Sequence, residues 1–239
     1  VVGLSPLEAG LWTLPWALAF VVGSNLTPMI VRRVRPAYVM AGGLTLAATG
    51  FLIFTQLTAS SGFLVIAIGS TIMSLGSSPL FTLTNDLIIG TAPPERAGAA
   101  AGMSETAAEF GGALGIAIFG SIGVALYRGS MTDAVPASLP SAAAHTARDT
   151  LGGAIDVAAQ LPGQVGTALI DAARDAYTYG LHVAALISAA GSILLAILVL
   201  TLLRNARTGG GSEEQEERED VTPTEPADAG QAEVATFQR

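Results

Sequence analysis

Five stretches of this chain, at about residues 11–31, 38–57, 63–89, 97–126 and 181–203, are apolar over roughly the twenty residues that cross a hydrocarbon core about 30 Å thick. In lipid every backbone N–H and C=O must be satisfied inside the structure, and for single separated runs the helix does this. The expected class is therefore an all-α membrane protein. Composition agrees, with 51% of the 239 residues hydrophobic and 13% charged, against about 25% charged in soluble domains.

The charges are segregated. Residues 204–239 hold nine acids and four arginines, so the net charge of −8 belongs mostly to a tail and to loops. All eleven basic residues are arginine, and outside short loops they form no patch that would serve nucleic acid. The absence of cysteine excludes disulfides and thiolate metal sites. His145 and His182 are isolated histidines with no second ligand beside them, so no metal is expected. No Walker loop, dinucleotide fingerprint or nucleophile elbow occurs, and neither a cofactor nor enzymatic chemistry is expected. The opening Val1-Val2-Gly3-Leu4-Ser5-Pro6 lacks a basic leader and an initiator Met. The expectation is that the N-terminal part of a longer chain precedes it.

Orientation is read from arginines in short loops. Arg32, Arg33 and Arg35 follow the first span, Arg96 follows the third, and Arg204 and Arg207 follow the fifth. The turn between spans two and three, Thr58-Ala59-Ser60-Ser61, is uncharged. This alternation places the C-terminus in the cytoplasm and the N-terminus outside a plasma membrane. Residues 1–127 are expected to hold four spans, 128–178 an outer loop, 179–207 the last span, and 208–239 a disordered acidic tail lacking any core-forming pattern. The outer loop, about fifty residues, exceeds a plain turn. Within it Leu151, Ile155 and Ala158, and then Val165, Leu169, Ala172 and Ala176, recur at helical spacing on either side of Leu161-Pro162-Gly163. An amphipathic helical hairpin on the outer surface is expected.

The fourth span carries Glu105 and Glu109, spaced so that both carboxylates leave one face of a helix. A rise of about 1.5 Å per residue sets Glu109 near mid-membrane. A carboxylate in lipid is expensive, and by default it marks an ion pathway or a cation site. Desolvation favours the neutral acid, so such a group suits proton carriage. The alternative is an acid that only hydrogen-bonds another helix. Gly98 and Gly102, and Gly111 and Gly115, have the small-xxx-small spacing that lets a neighbouring helix approach closely. Asp86, near the end of the third span, is a weaker site candidate that could equally be hydrated or paired with a loop arginine. Asn25 reads as a packing contact, Pro15 and Pro28 as kinks, and Trp12 and Trp16 as interfacial anchors.

Ser5-Pro6-Leu7-Glu8-Ala9-Gly10-Leu11, followed after a helix by Arg32-Arg33-Val34-Arg35-Pro36, resembles the later half of fourteen-helix drug:proton antiporters of the major facilitator superfamily. Ala92-Pro93-Pro94-Glu95-Arg96-Ala97-Gly98, with Ser104-Glu105-Thr106 and Glu109-Phe110-Gly111, is similar to the quaternary-ammonium exporters of that family, in their thirteenth helix. The resemblance covers about residues 1–207. It implies the last five helices of a C-terminal bundle and an exporter of small lipophilic cations driven by the proton gradient. It also implies that Glu105 and Glu109 serve as proton and cation sites. Helices one to nine of the family are absent, and five helices of one bundle do not enclose a pore that lies between two. The expected partners are thus the lipid bilayer, lipophilic cations and the missing N-terminal helices of a parent transporter. The other reading is a non-transporting membrane interaction module or an inactive truncated transporter.

Overall fold

The computed structural model describes residues 6–58, 63–136 and 139–203. They form seven α-helices: α1 (Pro6–Val31), α2 (Pro36–Phe54), α3 (Phe63–Thr91), α4 (Ala97–Ala134), α5 (Ser141–Asp149), α6 (Leu151–Ala158) and α7 (Gly163–Leu203). Five of them, α1, α2, α3, α4 and α7, are long and apolar enough to cross a membrane, so the protein is a multi-pass membrane protein. The expected tail lies outside the described residues.

Local chemistry explains the helix starts. Pro36 opens α2 and Pro94 opens the single 3-10 turn, Pro94–Arg96, that leads into α4. At a helix start the missing proline N–H would have been unpaired anyway, and the ring already holds φ at a helical value. The chain runs helical through Pro15 and Pro28 in α1 and through Pro79 in α3.

The densest packing joins α2 to α3, which run antiparallel with paired glycines at their seam. A Cβ built on Gly43 would stand 2.5 Å from the carbonyl oxygen of Gly76, and one on Gly50 would stand 2.8 Å from that of Gly69. Backbones this close admit only hydrogen at those positions. Ala37, Met40, Ala41 and Leu44 of α2 then pack with Leu83 of α3 and with Ala196 and Val199 of α7. Helix α1 lies parallel to α3, where the buried Ser74 hydroxyl donates to the Trp16 carbonyl oxygen at 2.9 Å. His182 of α7 sits 2.7 Å through Nε2 from the carbonyl oxygen of Leu57, just past the end of α2.

Helices α4 and α7 differ from the expected layout. The divisions expected after residues 127 and 178 fall inside unbroken helices, since α4 continues to Ala134 and α7 starts at Gly163. Their 38 and 41 residues give lengths of about 57 and 62 Å at about 1.5 Å per residue, roughly twice a hydrocarbon core. The excess carries Arg128, Asp133, Asp171, Arg174 and Asp175, which are costly in lipid. The extended ends stand together under α5 and α6 and share a core of their own. Met131, Ala147, Ala154, Leu169 and Ala173 are the most deeply buried of its side chains.

The residues where a hairpin was expected hold α6 and the first half of α7, and α7 runs into the last span without a break. After Pro162-Gly163 the segment contains no proline, so the local sequence permits the helix to run past the edge of the apolar run. The Tyr127 hydroxyl donates to the Ala147 carbonyl oxygen at 3.1 Å, Arg148 Nη2 donates to that of Thr132 at 3.2 Å, and the Thr150 hydroxyl caps α6 by accepting from Gly153 N–H at 3.0 Å. This cap ties α4 to α7 at one end of the bundle.

Candidate functional site

Helix α4 is poor in residues that would anchor it inside the bundle. Its only buried side chains are Tyr127 and Met131, both in the cap. From there towards its start the contact with α7 is limited to the region where Gly123 meets Gly180 and Phe119 nears Leu181 and Ala184. A line of half-buried residues, Ala97, Ala101, Ser104, Gly115 and Phe119, marks the side facing the rest of the chain. At about 100° per residue, Glu105 and Glu109 sit about a quarter turn away from that line.

Both glutamates are exposed. Neither makes a hydrogen bond or ion pair with a described residue. They stand one above the other, separated by about 6 Å along the axis. Thr106 between them is occupied locally, its hydroxyl donating to the Gly102 carbonyl oxygen at 2.8 Å. The two carboxylates stand on consecutive turns, whereas exposed Met103 and Phe110 leave α4 about 100° or more around from them.

Asp86 is exposed on α3 and likewise has no partner among the described residues. It lies about 8 Å from its helix end, and Glu109 lies about 18 Å from its own, so the structure does not set them at one depth. Gly98, Gly102, Gly111 and Gly115 were expected to pack against a neighbouring helix. Beyond its own helix, none of the four has a described atom within 4 Å of the position a Cβ would take. Between α2 and α3 the closely packed glycines are Gly43, Gly50, Gly69 and Gly76, which that reading missed. Their signal was present, because each helix repeats glycine at a seven-residue interval, two turns apart on one face. Asn25 is exposed and its amide donates to the Val21 carbonyl oxygen of its own helix at 2.8 Å rather than to a neighbour. His145 pairs with Asp149 at 2.9 Å. Among the described residues no group of three or more His, Asp or Glu side chains is placed to hold a metal ion.

No family model matches the sequence. Individual relatives do. The chain is 36% identical over 189 residues to the multidrug efflux pump LfrA of Mycolicibacterium smegmatis, covering 79% of this chain and 37% of that protein. It is 32% identical over 203 residues to the methyl viologen resistance protein SmvA of Salmonella typhimurium, covering 82% of this chain and 39% of that protein. To the tetracenomycin C resistance and export protein of Streptomyces glaucescens it is 28% identical over 209 residues, covering 83% and 38% respectively. These relatives are efflux, export and resistance proteins and not enzymes. The chain spans less than two fifths of their length. It is a homologue of multidrug efflux and resistance proteins of the major facilitator type.

Proposed function

We propose that this chain is the C-terminal part of a proton-coupled exporter of lipophilic cations, with Glu109 and Glu105 binding the proton and the cation by turns. The observation that carries the reading is the bare face of α4. Two carboxylates without an intrachain partner lie on an apolar helix that its own chain leaves uncovered. Homology to efflux proteins, one of them named for resistance to methyl viologen, an aromatic dication, supports it.

The mechanism is competition for one charge. A cation about 4 Å from a carboxylate gains about 4 kcal/mol at an effective dielectric of about 20, and protonation of that carboxylate removes the gain. A proton arriving from outside displaces the cation, and the protein rocks before releasing the proton inside. Glu109 lies deeper and carries the coupling. Glu105, closer to the arginine-bearing end, tunes the substrate range, and Asp86 assists entry at that end. The orientation that goes with this puts the arginine turns and the C-terminus in the cytoplasm and the cap outside. Single cysteines at Ser141 and Thr91 test it, because an impermeant thiol reagent applied to sealed cells should label only the first.

The central experiment uses the full-length protein. Glu109→Gln keeps size and hydrogen bonding while holding the site neutral, and should abolish active efflux of a dicationic dye at unchanged protein abundance. Glu105→Gln should be milder and should vary with substrate. Wild-type pumping by Glu109→Gln, with intact dependence on the pH gradient, would leave that carboxylate a structural role only.

A second reading is favoured by the chain's share of its relatives' length. On that reading the five spans are an interaction module or an inactive truncated transporter. Co-expressing these residues with the first nine helices of a relative separates the two, since part of a transporter should then confer dye efflux and a module or inactive product should not.

A further inference from the structure

At the end of the bundle opposite the cap, α2, α3 and α7 enclose a groove of about 310 Å³. Met40, Leu80, Leu87, Leu198 and Leu202 are among its walls, and Thr84 is the one polar residue lining it. The groove runs to the helix ends. Leu87 and Ile88 precede the α3 terminus at Thr91, and Leu203 is the last residue of α7.

This is also the end where the arginines gather. Arg32 and Arg33 lie in the turn that leads to α2, and Arg96 lies five residues beyond α3. Their side chains are exposed and make no ion pair with a described residue. Two acids lie nearby. Glu95 adjoins Arg96 and offsets one charge, whereas Asp86 leaves α3 on the side away from the groove, about 145° around from its lining residues. Counted over the described residues, the mouth of this apolar slot is thus positively charged.

We infer that this groove is a binding site for an anionic phospholipid, with an acyl chain between α3 and α7 and the phosphate held by Arg32 and Arg33. A zwitterionic lipid could fill the same slot, but its headgroup carries no net charge for the arginines to attract. Basic residues at a membrane surface each favour an anionic lipid by roughly fivefold. The site is independent of Glu105 and Glu109, which lie on α4, a helix that does not line it.

The test places a fluorescent reporter at the groove mouth, Leu202→Trp in a Trp12→Phe/Trp16→Phe background, with the full chain in vesicles. Brominated phosphatidylglycerol and brominated phosphatidylcholine are titrated as quenchers. The reporter should favour phosphatidylglycerol by at least about fivefold. Adding Arg32→Gln and Arg33→Gln should bring the ratio to within about twofold of one, while Arg32→Lys and Arg33→Lys should preserve it. The native Trp16, read in Trp12→Phe at the other end of the bundle, should show no preference. Inorganic phosphate should not compete, because it has no chain to fill the groove. Equal quenching by both lipids would overturn the proposal, leaving the groove to acyl chains whatever their headgroup, and little quenching by either would overturn it by assigning the groove to another protein segment. A preference that survives both glutamine changes, or that Trp16 shares, would overturn it as well.

Discussion

Helices α2 and α4 have closely similar hydropathy, yet half of the most apolar window of α2 is buried inside the molecule and only 6% of that of α4. Apolarity alone cannot explain that difference, because lipid accepts an apolar side chain as readily as a neighbouring helix does. What separates the two is where the small residues meet something. Gly43 and Gly50 of α2 face Gly76 and Gly69 across a seam with no room for a side chain. Gly98, Gly102, Gly111 and Gly115 of α4 face open space. Glycines that face open space spend backbone entropy without gaining an approach. On the function proposed above, the side of α4 that carries Gly98, Gly102 and the two unpaired glutamates is where a neighbour outside these residues would pack.

The comparison is broken most directly by adding one methyl group to each helix. Gly50→Ala or Gly76→Ala drives a Cβ into the backbone of the facing helix, and overpacking of this kind costs about 3 kcal/mol. Gly111→Ala in the same chain meets nothing and should stay within about 1 kcal/mol of wild type, with helix propensity on the favourable side. Unfolding in mixed micelles, followed by circular dichroism, measures both. Equal losses at Gly50 and Gly111 would mean that α4 is packed within this chain.

The second test asks whether the bare surface is used in the full-length protein. Gly111→Leu should be neutral in the isolated chain. In a complete transporter it should disturb a helix seam by about 1–3 kcal/mol, which lowers efflux by about tenfold at about 1.4 kcal/mol per decade. An unchanged dye-efflux rate would show that the Gly111 side of α4 faces lipid.

The same contrast explains what could be read beforehand. The five spans were legible because a hydrocarbon core imposes length and apolarity directly on the sequence. Starts at Pro36 and after Pro94 were legible because proline has few other places to sit. The course of α7 was less so. Asp171, Arg174 and Asp175 read as the polar face of a surface helix, and hydropathy begins only near Leu181. That the two are one helix depends on Leu169, Ala173 and Ala176 sealing the cap core, a tertiary fact. The glutamates were legible as a chemical anomaly, and their spacing alone put them on one face. Their surroundings were not legible, since local sequence does not say which faces of α4 the chain itself will cover.

If α4 is tied to its chain chiefly through the cap, a small defect there should loosen it. Tyr127→Phe removes the hydroxyl that satisfies the buried Ala147 carbonyl oxygen, at a cost of about 1 kcal/mol. Hydrogen exchange should speed up across α5, α6 and the cap end of α4, and stay unchanged along α2. Faster exchange in α2 would mean that the cap and the bundle open together.

The smallest effect expected is at the charged rim of the cap. Asp149 accepts from Arg128 at 3.0 Å, which links α4 to α5, and contacts His145 of its own helix at 2.9 Å. The side chains of Arg128 and His145 are 57% and 79% exposed, and that of Asp149 is 33% exposed. Water and salt screen pairs of this kind, and ordering two long side chains offsets much of the attraction, so each contributes about 0–1 kcal/mol. Asp149→Asn keeps the shape and some hydrogen bonding while removing the charge. It should therefore lower cap stability by less than about 1 kcal/mol at low salt. The difference from wild type should shrink as ionic strength rises past about 0.15 M, where the screening length falls to about 8 Å. Against this, Tyr127→Phe should be insensitive to salt, because its hydrogen bond is buried. A loss above about 2 kcal/mol at Asp149, removable by salt, would reverse the assignment. The cap would then be held mainly by charge rather than by its apolar core, and α4 would be free to part from α7 whenever that charge was neutralised.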